Sequence, residues 1–191
     1  SIVSVAISAG AAITDLLTES KAKVVQANQT GLDTASRSAL DNDFQQLRSQ
    51  IETIVSTADF NAVNLIDASA STLDVLSSVD GSVISVSAQS LDTTTLGINT
   101  ASLATSSSAA NALSAIETAI DLAADKLAAL GSSATGIEIQ SQFTTSLINV
   151  VEEGIGNLVD ADLAEESAQL QALQVQQQLA VQSLAIANSA P

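Results

Sequence analysis

The chain has 191 residues, 46% of them apolar, with five Lys and Arg set against 21 Asp and Glu for a net charge of −16. It has no Cys, His, Trp, Tyr or Met, and only three Phe and one Pro. These absences exclude a cysteine nucleophile, a serine–histidine triad, a disulfide and an ordinary zinc site, and the lack of a basic cluster makes nucleic acid and anionic membranes poor partners.

The apolar content is that of a folding chain. No apolar run approaches the roughly 18 residues of a bilayer-spanning helix, so no membrane insertion is expected. The first residues, Ser1-Ile2-Val3, and the last, Ala190-Pro191, read as the ends of a fragment. Gly and Pro are scarce in two long tracts and cluster between them, which predicts helices flanking an irregular or β region.

The first tract runs from about Ile2 to Asn28, with Ile13, Leu16, Leu17 and Val24 at helical spacing. It stops at Gln29-Thr30-Gly31, where Gly31 supplies the positive φ of a helix end. Asp33 or Thr34 then offers an N-cap for a second helix. In that helix Leu40, Phe44, Leu47, Ile51 and Ile54 form a heptad-like seam, while Gln45, Gln46, Arg48 and Glu52 fall off it as a solvated face.

From Phe60 to Ile98 the period changes. Leu73, Val75, Val83, Ile84 and Val86 sit among Ser and Thr in near-alternation, with Asp80-Gly81 between the two runs. This predicts a β-hairpin, and two strands alone are marginal, so it should lean on the helices. Residues 99–110 are small and polar and read as a connection leading into a helix cap. A third helix follows, carried by Leu113, Ile116, Ile120, Ala123, Leu127 and Leu130. Gly131 and Gly136 bracket a Ser-rich pause, after which Phe143, Leu147, Val150, Val151, Ile155 and Leu158 resume one side of a helix.

The last tract, Asp162 to Asn188, has an apolar stripe of Leu163, Leu170, Leu173, Leu179, Leu184 and Ile186 and a second face rich in Gln. Neutral amides there fit either packing against another polar-neutral helix or a weakly amphipathic helix in solution. The predicted fold is mainly α: an elongated bundle of long antiparallel helices, the seams at both chain ends pairing, with a β-hairpin excursion between the N- and C-terminal parts.

Chemistry is sparse. Glu152-Glu153 and Glu165-Glu166 are adjacent on helices, so each pair points about 100° apart and cannot flank one bond. Asp160-Ala161-Asp162 lacks the Gly and distal Glu of a calcium loop, and Asp162 reads as an N-cap. A cation could bridge Asp74, Asp80 and Asp92, but turn and strand-end roles are the commoner use of such residues. Gly131 and Gly136 have the spacing of phosphate-loop glycines, but Ile137-Glu138 stands where Lys-Ser/Thr is needed. The chain reads as no enzyme, with no cofactor and no metal.

The order of segments resembles bacterial flagellin, the subunit of the flagellar filament. A first block is Val24-Val25-Gln26-Ala27-Asn28, the repeat Leu40 to Ile54, and Phe60-Asn61-Ala62-Val63-Asn64-Leu65, similar to the family's turn but with Ala62 in place of the usual Gly. A second is the hairpin followed by Thr95-Leu96-Gly97-Ile98. A third, Asp160 through Glu166 with Leu170 to Gln178 and Ala185 to Pro191, centred on Asp160, Asp162 and Asn188, resembles the family's carboxyl-terminal signature. The stretch from Asp33 to Arg37 looks like the alphaproteobacterial branch.

The resemblance implies a structural filament subunit, extracellular and exported by the flagellar secretion apparatus. Its partners would be other flagellin subunits, an export chaperone and the cap protein. It implies N-terminal shaft helices over 1–58, a turn and hairpin region over 59–98, a connection over 99–110 where variable outer domains would be inserted, and C-terminal shaft helices over 111–191. Together, 1–191 would be one discontinuous shaft domain. The polymerisation segments at both ends would be missing, leaving a soluble monomer. The places where recognised flagellins present an Arg, a Leu and a Glu to the Toll-like receptor for flagellin hold Glu19, Lys23 and Asp43, which implies weak or no activation.

One alternative is a surface adhesin or polysaccharide-binding protein on a flagellin scaffold. Sugar sites usually need aromatic platforms, and Phe44, Phe60 and Phe143 read as core. A hook–filament junction protein is built from similar helices, but the hairpin and the Asp160–Pro191 stretch favour flagellin.

Overall fold

The computed structural model describes residues 2–78 and 81–188. Three helices, α1 (Ile2–Ala27), α2 (Thr34–Thr57) and α3 (Ser106–Asn188), enclose in sequence two small antiparallel pairs of strands. These are β1 (Asp59–Phe60) with β2 (Val63–Asn64), and β3 (Leu73–Leu76) with β4 (Val83–Val86). The chain divides into two compact units, Ser1–Ser141 and Gln142–Pro191.

The first unit holds the core. Helix α1 ends where Gly31 takes φ +83°, and Asp33 caps α2, its carboxylate accepting from Ser36 N at 2.8 Å and Ser36 Oγ at 2.9 Å. Ile13, Leu17 and Val24 of α1 and Phe44, Ile51 and Val55 of α2 are buried, with Leu16, Leu40 and Ile54 packed beside them. By length and composition α1 could cross a bilayer, contrary to the expectation from apolar runs. Here its apolar side lies in the protein core.

Helix α1 runs antiparallel to both partners. Against α2, Lys23 pairs with Asp43 and Arg37 Nη1 donates to Ala27 O at 2.7 Å. Against α3, Gly10 lies under Leu127, Lys21 pairs with Glu117 at 3.0 Å, and Asn28 Nδ2 donates to Ala109 O at 2.9 Å. The α3 partners descend as the α1 numbers rise, which is what an antiparallel seam requires. Ile116, Ala119, Ala123 and Leu130 supply its α3 side.

Two short pairings close the gap between α2 and α3. Phe60 and Val63 are partners across a two-residue turn in which Asn61 and Ala62 both have positive φ, 56° and 60°. Asn64 fastens that turn to the helix: its Nδ2 donates to Val55 O at 2.6 Å and its Oδ1 accepts from Ile66 N at 2.9 Å. The hairpin β3–β4 pairs Leu73 with Val86 through Leu76 with Val83. It leans on the core as expected, through Val86, which is buried, and Gln140 Nε2, which donates to Ser77 O at 3.0 Å. Gly81 takes φ +88° in its turn, while Asp80 lies outside the described residues.

Several expectations are corrected. There is no pause at Gly131 and Gly136, because α3 runs through both. Two glycines cost only about 1 kcal/mol each. The intervening hydroxyls bond back along the helix, Ser133 Oγ to Ala129 O and Thr135 Oγ1 to Gly131 O, both at 3.0 Å, so they leave the backbone ladder intact. For the same reason Asp162 is a helix-interior residue and not an N-cap. The cap of α3 is Thr105, whose Oγ1 accepts from Ser108 N while Ser108 Oγ accepts from Thr105 N, each at 3.0 Å. The helix therefore begins inside the connection read over 99–110. Phe44 is core, but Phe60 and Phe143 are 52% and 59% exposed.

In the second unit the described residues form the remainder of α3, and from Thr145 to Asn188 every one is exposed. The stripe expected to pair, Leu163, Leu170, Leu173, Leu179, Leu184 and Ile186, faces solvent there.

Candidate functional site

The carboxylates build no reaction centre. Among the described residues no three His, Cys, Asp or Glu side chains are grouped as metal ligands. Glu152, Glu153, Asp160, Asp162, Glu165 and Glu166 are all exposed on α3. The one mostly buried carboxylate among the described residues is Asp92, 8% exposed. It accepts from Ser90 Oγ and Thr95 Oγ1 at 2.5 Å, and from Thr94 N and Thr95 N at 3.0 and 3.1 Å. Burial opposes its ionisation, but the bonds from Ser90, Thr95 and Thr94 outweigh it and hold the carboxyl below the usual range. Asp92 is thus the knot of a turn, its acceptor capacity already used.

The sequence-derived candidates fall into separate places. Lys23 and Asp43 meet across the α1–α2 seam, Nζ to Oδ2 at 2.7 Å. That hydrogen bond first, and the Asp43 charge next, raise the Lys23 ammonium above its ordinary range, with Glu19 adding to them. Glu19 itself is exposed one turn earlier. Gln26 is exposed. Asn28 joins the end of α1 to the start of α3, its Nδ2 donating to Val24 O and Ala109 O, both at 2.9 Å. Phe60 and Asn61 lie at the β1–β2 turn. Asp160, Asp162 and Asn188 are exposed along α3, and Ser189, Ala190 and Pro191 lie outside the described residues.

Two features escaped the sequence reading. Gln45, Arg48 and Glu52, read as solvated, grip the chain after the hairpin together with Asp41. Their signal was present in the spacing 41, 45, 48, 52, which is one helix face. The other is the extent of apolar exposure in the second unit. Leu158, Leu163, Leu173, Leu179 and Leu184 are each 60% exposed or more. From Ser167 onward the chain carries no charged residue. A long uncharged helix with leucines in water is a surface made to be covered, and its chemistry suits another apolar helix, not a small molecule.

Comparison with known proteins identifies the relatives. A family model for the bacterial flagellin N-terminal helical region matches residues 1–71, and one for the flagellin C-terminal helical region matches residues 113–191. Flagellin FljM of Caulobacter vibrioides is 46% identical over 98% of this chain and 69% of its own length. A flagellin of Brucella melitensis is 35% identical over 88% of this chain and 64% of its own. Flagellin C of Rhizobium meliloti is 29% identical over 93% and 71%. In the crystal structure of Bacillus cereus flagellin the same fold recurs, with a TM-score of 0.64 at 22% identity over 72% of this chain and 80% of that one.

Proposed function

The chain belongs to the bacterial flagellin family, of the alphaproteobacterial type, as a structural subunit of the flagellar filament that assembles with other flagellin subunits, and from that premise we propose how its parts serve assembly. It is not an enzyme. Membership of the family implies an extracellular filament supplied by the flagellar export apparatus.

We infer that residues 1–58 and 111–191 are the shaft, that 59–98 is its turn and hairpin, and that the exposed row from Phe143 to Leu184 is the face other subunits cover. The observation that carries this reading is the exposure of large apolar side chains along this row, whose last part, from Ser167 on, bears no charge. Burying one such side chain contributes about 1.5–3 kcal/mol, so a few of them in an interface outweigh most surface ion pairs. The same face, uncovered before assembly, suits an export chaperone, and the cap protein would meet the subunit as it enters the filament.

The test is Leu170→Glu with Leu173→Glu, introduced into this chain within a tagged flagellin that supplies polymerisation segments, in cells that incorporate it into filaments. Incorporation should fall at least tenfold while the thermal unfolding of the Ser1–Ser141 unit is unchanged. Normal incorporation of the double variant would remove this helix from the interface.

For the Toll-like receptor we propose weak activation. Lys23 and Asp43 are spent on each other at 2.7 Å, and Glu19 presents a negative charge where an Arg anchor would be needed. A reporter-cell response equal to that of a recognised flagellin would refute this.

A further inference from the structure

Between the Asp92 knot and the start of α3 the chain runs along α2, opposite in direction, through turns over 93–97 and 99–100. Four side chains of α2, spaced 4, 3 and 4 residues apart, hold it. Asp41 Oδ1 accepts from Leu103 N and, at 3.1 Å, from Ser102 Oγ. Gln45 Nε2 donates to Ala101 O at 3.2 Å. Arg48 Nη1 donates to Asn99 O at 2.5 Å, with Ile98 O and Ala101 O at 3.4 and 3.3 Å. Glu52 Oε1 accepts from Thr93 N at 2.8 Å and from Thr93 Oγ1.

The order of chemical types decides what this row reads. Acceptors stand at its two ends, facing N–H groups, and donors stand in the middle, facing carbonyls. Most of these contacts go to main-chain atoms of the segment. Leu96, Ile98 and Leu103 are buried beneath, while Asn99, Thr100 and Ala104 are exposed. Every residue has the same amide, so a row that meets amides is indifferent to the side chains pointing away from it.

We propose that Asp41, Gln45, Arg48 and Glu52 form a main-chain clamp, a polar row that holds the turn-rich connection by its backbone and fixes the register in which residues 93–104 approach α3. The clamp lets the outward side chains of this segment change without disturbing the helices beneath. These four are positioning residues, and none of them takes part in the apolar face proposed for assembly.

The experiment is amide hydrogen exchange, residue by residue, on the full chain. The triple variant Asn99→Ala, Thr100→Ala, Ala104→Ser should leave protection of the Leu103 amide within about twofold of the parent. Asp41→Ala should lower it about tenfold or more, as loss of a bond to a charged acceptor does, while the Ile13 and Val24 amides stay protected. Asp41→Asn, which keeps an acceptor oxygen, should restore most of the loss. Loss of Leu103 protection in the triple variant would overturn the proposal. So would unchanged protection in Asp41→Ala. If Asp41→Ala fails to fold, the triple variant and Asp41→Asn still decide the matter.

Discussion

Ala62 occupies a backbone region that L-residues avoid, at φ 60° beside Asn61 at 56°. Asn tolerates that region through its short polar side chain, and Ala does not, at a cost of roughly 1–2 kcal/mol. Ala62→Gly should therefore stabilise the protein by about 1 kcal/mol in a denaturant titration, even though it removes a methyl group. Gly10 is the opposite case. A methyl group there would meet Leu127 Cδ1 at 2.3 Å and Leu91 Cδ1 at 3.2 Å. Alanine's better helix propensity contributes about 1 kcal/mol, but overpacking costs about 1–3 kcal/mol. Leu91 is fully buried and has little room to yield, so Gly10→Ala should lower stability in the same titration. Asp92 sets a pH dependence. Its folded carboxyl lies below the ordinary value, so its contribution is present above the unfolded carboxylate range and is lost as pH falls through the folded value. Asp92→Asn should flatten the acid limb of a stability-against-pH curve, and an unchanged limb would mean that other carboxylates govern it.

Among the elements, α1 and α2 were legible because apolar spacing, Gly31 and Asp33 all agreed, and burial of Ile13, Leu17, Phe44 and Ile51 follows that spacing. The hairpin was legible for the same reason in period two. The unbroken course of α3 was not, because glycines and serines argue for a break only when nothing continues the helix on either side. Here a helix already formed on both flanks carries across Gly131 and Gly136. Replacing both by Ala should raise stability, by about 1 kcal/mol at each position, since nothing lies within 4 Å of a methyl group at either; a lower melting temperature would mean the helix needs its weakness there. The polar row of α2 stayed hidden because spacing identifies a face but not what lies on it. Gln45, Arg48 and Glu52 look the same in sequence whether they meet water or main-chain amides. Of the candidate residues, Asn28 and the Lys23–Asp43 pair acquired partners only through contacts between helices, which no local pattern contains.

For the molecule as a whole, charge is unevenly divided. All five basic residues, Lys21, Lys23, Arg37, Arg48 and Lys126, precede residue 142, and beyond it stand six acids and no base. Copies brought together at low salt repel one another, and the screening length falls from about 30 Å at 0.01 M to about 8 Å at 0.15 M. Self-association followed by light scattering should therefore strengthen with salt over that range; weakening would mean that opposite charges hold the copies together. The antiparallel seam of α1 on α3 has a consequence in time. Asn28 and Ala109 are 81 residues apart, and contacts of such separation form only after a large loop has closed. A polypeptide threaded amino end first through a channel would have emitted all of α1 long before α3 arrives to pair with it. The α1–α2 seam, whose partners are 10 and 20 residues apart, can close early, but the pairing that locks the finished subunit waits until the chain past Ala109 is out.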